Sequence, residues 1–295
     1  MHPFGELSAR RRELGAALRR LRKNAGLSGE QIALAAGISQ SRVSRIELGQ
    51  QSASPEVVSR WGRACGAMSA QLDELTALAD AAATEAVSWR KAMAGGLDKL
   101  QQDSRHLEAS ASLICNFQTA WVPGLLQLPE YARRIFTAEH GPAQPDIAVA
   151  VATRMNRQAI LYDEAKRFEF ILTDAVLRWR VGPPSLMRAQ IDKILTVTTL
   201  GNVTIGIIPQ SAESSHWHDH GFNILDVRDV AQDAVVHVET LMSGLTITDP
   251  ADVTAYKAAF ARLRDLAVTG DDASHLLRRI LADYEDTPSR PSEAR

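Results

Sequence analysis

Between Ser28 and Gly49 the chain carries two short helical patterns separated by a single glycine, Gly37, and this constrains the fold more than any other stretch. Ser28 suits the cap of the first helix, since its hydroxyl can accept from the amide three residues on while Gln31 reaches back to the cap amide, a capping box. Ile32, Ala33 and Ala36 recur at helical spacing, and small Ala33 lets another helix cross closely. Gly37 ends that helix in the positive-φ region that other residues resist. Ser39 is placed to cap a second helix in which Val43 and Ile46 turn inward with Ile38. Gln40, Ser41, Ser44 and Arg45 are left on its outer face. Two short helices at a tight turn, with a polar row on the second, make a helix-turn-helix.

The glycine, the inward apolar residues and the Gln40-Ser41 opening stand in one register that resembles lambda-repressor-like (XRE-type) domains. The resemblance implies binding to a double-stranded DNA operator, with Gln40, Ser41 and Arg45 at base edges. Glutamine matches adenine and arginine matches guanine in bidentate geometry. Ser44, Arg42, Gln31 and Lys23 complete the expected DNA contacts, Arg42 and Lys23 toward phosphate. Gly29 stands where such domains often carry a contacting glutamine. The resemblance also implies an ion pair between Arg22 and Glu47, because a carboxylate facing phosphate would be repelled. A single short recognition helix reads few base pairs, so a homodimer on a two-fold operator is expected, with half-sites about 34 Å apart.

Charge is distributed unevenly. Residues 1–63 hold eleven Lys or Arg against five acids, or +6, whereas the whole chain, with 33 basic and 35 acidic residues, is −2; residues 64–295 are therefore −8. A basic amino-terminal part joined to an acidic remainder fits a protein of which only one part meets phosphate. At 295 residues the chain exceeds one small helical domain of about 60 to 70 residues, so a further domain is required. No apolar run approaches about 18 residues and no signal-peptide pattern opens the chain, so the expected protein is cytoplasmic, with no membrane partner. Cys65 and Cys115 read as small buried hydrophobes.

The fold class expected is multi-domain: an all-α helix-turn-helix domain over residues 1–83, a mixed α/β (α+β) domain over 84–286, and a disordered tail over 287–295. Ser54-Pro55 starts a helix that Gly66 stops, and another runs from Ser69 to Ala82. The alanine-rich stretch Ala79–Ala86 predicts a helical connection. Further helices are expected at 97–115, 129–138, 146–162, 185–200, 250–267 and 273–284. Short apolar runs at 168–172, 203–208, 222–227 and 235–239, bounded by turn residues, read as strands.

A second resemblance spans nearly the whole chain. Trp89-Arg90, Gln101, Glu108, Val122-Pro-Gly-Leu-Leu-Gln127, Glu130-Tyr131-Ala132, Arg154, Arg157-Gln158, Phe168 and Leu177-Arg178 together resemble the large antitoxin-like (WhiJ-type) regulators of actinobacteria. What this implies is a carboxy-terminal domain of undefined biochemistry, commonly encoded beside a small partner protein; the resemblance supplies no known catalytic residues. Arg154, Arg157 and Arg178 read either as lining for an anionic pocket or a dock for an acidic partner, or as ordinary solvated or ion-paired arginines.

Alternate histidines in His216-Trp217-His218-Asp219-His220 would project to one side of an extended segment, as metal ligands do. No second ligand cluster lies nearby in sequence, so no metal and no cofactor is expected, and His216, His218 and His220 are the candidate ligands if one is held. No Gly-rich phosphate loop, Ser-His-Asp order or CxxC pair occurs, which points away from an enzyme. Two readings of the second domain stand: a docking platform for a small protein, or a small-molecule sensor or vestigial enzyme with a pocket beside the sheet.

Overall fold

The structure, a computed structural model, describes residues 3–88, 97–140, 146–213, 220–227, 234–240 and 243–284. The elements begin with helices α1 (Pro3–Asn24), α2 (Gly29–Ala36), α3 (Gln40–Glu47), α4 (Pro55–Ala64) and α5 (Ser69–Ala83). Then come β1 (Thr84–Ser88), α6 (Leu97–Ser110), β2 (Ala111–Gln118), α7 (Pro129–His140), α8 (Ile147–Arg157), β3 (Arg167–Thr173) and α9 (Asp174–Arg178). The chain continues through α10 (Pro184–Val197), β4 (Val203–Ile208), β5 (Phe222–Val227), β6 (Ala234–Glu239), β7 (Ser243–Ile247), α11 (Pro250–Leu266) and α12 (Gly270–Asp283). A helical amino-terminal region thus precedes a mixed sheet with helices, an α+β arrangement.

Two compact units divide the chain: Met1–Ala92 with Gln232–Ala255, and Met93–Ala231 with Tyr256–Arg295. The expected boundary at residue 83 falls inside the first unit, which runs to Ala92 and takes in the later β6–β7 segment. In that unit α1–α5 share a core of Leu14, Leu18, Ile32, Val43, Ile46 and the fully buried Trp61. Local signals account for the helix ends. Ser54 accepts the Val57 amide with Pro55 as first helical residue, and Gly66 stops the region after α4 at φ +73°.

The connection after α5 corrects the sequence expectation, because Thr84–Ser88 is a strand where the alanine-rich stretch predicts helix. Strand β1 pairs antiparallel with β7, Thr84 opposite Ile247 and Ser88 opposite Ser243, and β7 pairs antiparallel with β6. A partner distant in sequence therefore overrides helix propensity, which is only a weak prior. The Ser52 hydroxyl donates to the Thr248 carbonyl at 3.1 Å, tying the end of this small sheet to the segment after α3.

The second unit is built on strands in the order β5-β2-β3-β4. β2 runs parallel to β3 and β3 to β4, while β5 lies antiparallel to β2. The parallel pairs need long crossovers, supplied by α7 and α8 between β2 and β3 and by α9 and α10 between β3 and β4. The sheet face carrying Ile114, Phe168, Phe170, Ile205 and Leu225 belongs to one core with Leu126, Met187, Ile191, Leu277 and Ile280. Here too one expectation is corrected: the helix predicted over 97–115 ends at Ser110, and Ala111–Gln118 is an interior strand between β5 and β3.

On the opposite face Phe222 meets Tyr256 and Phe260 edge-on, with ring centroids 5.0 and 6.3 Å apart. Cys115 lies on this side, and burial pushes its thiol up to about 12. The unfolded chain ionises near 9, so burying the protonated thiol favours folding below that pH, and the advantage is lost as pH rises from 9 toward 12. Native protein treated with iodoacetamide at pH 8 is expected to leave Cys115 unmodified until denaturant is added; peptide mapping that finds it alkylated in the native state would contradict the burial.

Candidate nucleic-acid interface

Helix α3 is fixed from behind before any of its outer residues matter. A Cβ added at Gly15 in α1 would stand 2.2 Å from the Ile46 carbonyl oxygen, so the two helices cross with backbone on backbone. Gly49, just past α3, has φ +70°, and a Cβ there would lie 2.7 Å from the Arg12 backbone nitrogen. α2 enters through the capping box: Ser28 Oγ accepts the Gln31 amide at 3.2 Å, and Gln31 Oε1 accepts the Ser28 amide at 2.8 Å. It leaves through Gly37 at φ +70°. Ser39 then caps α3 by accepting the Arg42 amide at 3.2 Å.

That frame exposes Gln40, Ser41 and Ser44 and leaves Arg45 half-buried. The Ser41 hydroxyl lies 3.0 Å from the Ser39 hydroxyl. Gln40 sits beside Gly29: a Cβ at 29 would be 3.7 Å from Gln40 Nε2, so the starts of α2 and α3 adjoin. Gln31 and Lys23 are exposed, although the Gln31 carbonyl is engaged in the cap. Arg42, expected on the DNA face toward phosphate, is only 8% exposed and shares the inward side of α3 with Val43 and Ile46. Positions 42, 43 and 46 fall on one stripe of so short a helix, which takes Arg42 out of the exposed row.

Arg22 holds Glu47 in a two-pronged pair, Nε to Oε1 at 2.5 Å and Nη2 to Oε2 at 2.8 Å, and its Nη1 donates to the Leu27 carbonyl at 3.0 Å. The hydrogen bonds to Glu47 raise the Arg22 pKa above the usual guanidinium value, against the opposing effect of burial. One arginine therefore joins the end of α1, the turn before α2 and the end of α3. Sequence reasoning missed Gly15 and Gly49. Their signal was available at Gly15, since a glycine inside a helix costs about 1 kcal/mol relative to alanine and calls for a packing reason.

In the second unit the arginines singled out from sequence turn to internal partners. Arg157 grips Glu108 through Nε at 3.1 Å and Nη2 at 2.5 Å, and both side chains are about nine-tenths buried. Arg154 donates to Gln101 at 3.0 Å and Gln127 at 2.7 Å, with its guanidinium 4.1 Å from the Phe136 ring centroid. Arg178 pairs with Asp174 and Asp283. His216 and His218 lie outside the described residues, and His220 Nε2 is 3.3 Å from the Tyr256 hydroxyl. Among the described residues no group of three or more His, Cys, Asp or Glu is placed to hold a metal, and no helix is long and apolar enough to cross a membrane.

Residues 13–75 match the model of a helix-turn-helix domain, from the second half of α1 through α2, α3 and α4 to the first half of α5. Among solved structures the chain is similar to TrmBL2, an archaeal chromatin protein described as showing a novel mode of DNA binding, at 12% identity and a TM-score of 0.33. The likeness covers 64% of this chain and 53% of that one, so the chain spans about half the length of that protein. No curated protein matches the chain. Residues 101–279, more than half of the chain and nearly all of the second unit's elements, match a domain of unknown function, DUF5753, and the chain belongs to that family.

Proposed function

We propose that this chain is a sequence-specific DNA-binding transcriptional regulator that acts as a homodimer on a two-fold operator. The reading rests on the exposed row Gln40, Ser41 and Ser44, carried on a helix whose placement is fixed by backbone contact at Gly15 and by the Arg22–Glu47 pair. Gln40 reads a base edge, Arg45 adds a contact one turn on, and Lys23 meets the DNA backbone. Arg42 supports the row from inside.

The DUF5753 unit regulates through binding and performs no catalysis. Its expected partner is a small protein that binds the DNA-competent and DNA-incompetent states with different affinity; a difference of about 1–3 kcal/mol changes operator occupancy about 5- to 150-fold. A second reading, small-molecule sensing, is favoured by one observation, a cavity of about 190 Å³ beside the sheet, lined by Cys115, Ile224 and Phe260 with the pairs Asp226–Lys257 and Glu169–Arg264 at its edge.

Replacing Gln40 by alanine is expected to cost about 1–3 kcal/mol on the operator and to flatten preference at one base position. Lys23→Ala should instead weaken operator and random DNA alike and lower the salt dependence by about one counterion. Binding isotherms on both DNAs at several salt concentrations separate the two. A Gln40→Ala protein whose operator-to-random ratio equals that of the wild type would remove the base-reading role. The full chain is the right material, because a fragment ending at residue 83 lacks β1 and the β6–β7 pair of the same compact unit.

A further inference from the structure

Helices α1 and α5 flank a groove of about 320 Å³ on the first unit. Its floor is apolar, made by Ala17 and Leu21 of α1 and by Leu75 and Leu78 of α5. Its edges are charged with both signs: Glu13 and Arg20 on α1, Glu74 on α5. These three side chains are exposed, and among the described residues none of them forms an ion pair or hydrogen bond within the chain. Opposite charges thus border one apolar floor without neutralising one another. The groove stripe on α1, at 13, 17, 20, 21 and 24, is distinct from Gly15, which meets α3. Occupying the groove therefore leaves the recognition helix uncovered.

We infer that the α1–α5 groove is the face through which two copies of this chain join, with Arg20 of each copy meeting Glu74 of the other. A two-fold interface buries the same patch on both copies, so whatever residue i offers residue j must be matched by j offering i. A patch carrying both signs around an apolar floor meets that condition. A surface shaped for one foreign protein would need only the charge complementary to that protein. Apolar centres edged by charge also have the layout of stable interfaces, where the edge fixes register and rejects like-charged pairings. This inference rests on the two-copy reading above and names its surface.

The test uses the full-length protein in sedimentation velocity. Wild type is expected to be dimeric, and Arg20→Glu and Glu74→Arg, each tested alone, to raise the dimer dissociation constant about tenfold or more, because each places like charges together twice across the two-fold. Mixing the two variants in equal amounts is expected to restore the dimer, since both contacts of the mixed pair are again opposite in sign. A contact within one chain cannot be rescued by mixing. Circular dichroism identical to wild type checks that each variant is folded, as expected for exposed positions. Single variants as dimeric as wild type, or a mixture that stays monomeric, would overturn the inference while leaving the two-fold operator reading intact. A monomeric wild type, with or without another protein seated in the groove, would overturn both. An operator-to-random ratio in Gln40→Ala equal to that of the wild type, with rescue on mixing intact, would instead remove the DNA reading alone.

Discussion

Gly15→Ala is expected to lower the melting temperature of the first unit by roughly 5–15 °C and to abolish selective binding to the operator, although the same change stabilises most helices. Inside a helix, alanine is better than glycine by about 1 kcal/mol. At this crossing, however, the added Cβ would stand 2.2 Å from the carbonyl oxygen of Ile46 and 3.0 Å from that of Glu47. Both obstacles are backbone, so no side chain can rotate away, and α1 and α3 must separate. Overpacking costs about 1–3 kcal/mol and sometimes more, and a clash with backbone belongs at the upper end, which leaves a net loss of about 1–2 kcal/mol after the propensity gain. For a domain of this size each kcal/mol moves the midpoint by about 4–8 °C. The displacement acts on the helix bearing Gln40, and the bidentate base contact proposed for that residue would tolerate little movement, so operator affinity should fall toward that for random DNA. Scanning calorimetry with a binding isotherm checks both effects; a variant melting at or above wild type with unchanged operator binding would show that the two helices do not meet as described.

The helix-turn-helix was legible in sequence because its signals are local. Ser28, Gln31, Gly37 and Ser39 lie within a dozen residues, and each acts on a backbone group a few positions away. The end of α6 is the opposite case. Ser110 and Ala111 carry no helix-stopping chemistry, yet the helix ends there because Lys166, more than fifty residues on, donates its ammonium to the carbonyls of Glu108, Ala109 and Ala111 at 2.5–3.2 Å. The final carbonyls of a helix need partners, and here a distant residue supplies them. The chain is then free to extend as β2 between β3 and β5. Strand β1 escaped sequence reading for the same reason, since its partner β7 lies some 160 residues later. At the candidate interface, periodicity identifies which faces are polar, and Gln40, Ser41 and Ser44 are indeed exposed. Periodicity weighed less than charge in placing Arg42 outside, and the helix turns that residue inward with Val43.

The Arg157–Glu108 pair gives the other large effect, and its outcome bears on what the DUF5753 unit is for. Arg157 also donates to Gln101 at 2.5 Å, so its guanidinium is fully engaged by residues of α6. Both side chains are largely buried, 9% and 12% exposed, and removing one partner strands the other charge away from water. Arg157→Met is therefore expected to destabilise the second unit by about 3–5 kcal/mol, and Glu108→Leu by a similar amount. The double variant should recover much of that loss, because two apolar side chains leave no buried charge unmatched, and the surplus over additivity measures the coupling. Denaturant unfolding followed through the second unit gives all three values. If instead Arg157 were held in reserve for an anionic ligand, Arg157→Met would leave stability within about 0.5 kcal/mol of wild type, as ordinary surface changes do. A large loss with recovery in the double variant assigns this arginine to architecture, and the regulation proposed for the unit would then have to work through its surfaces or through the cavity on the other side of the sheet.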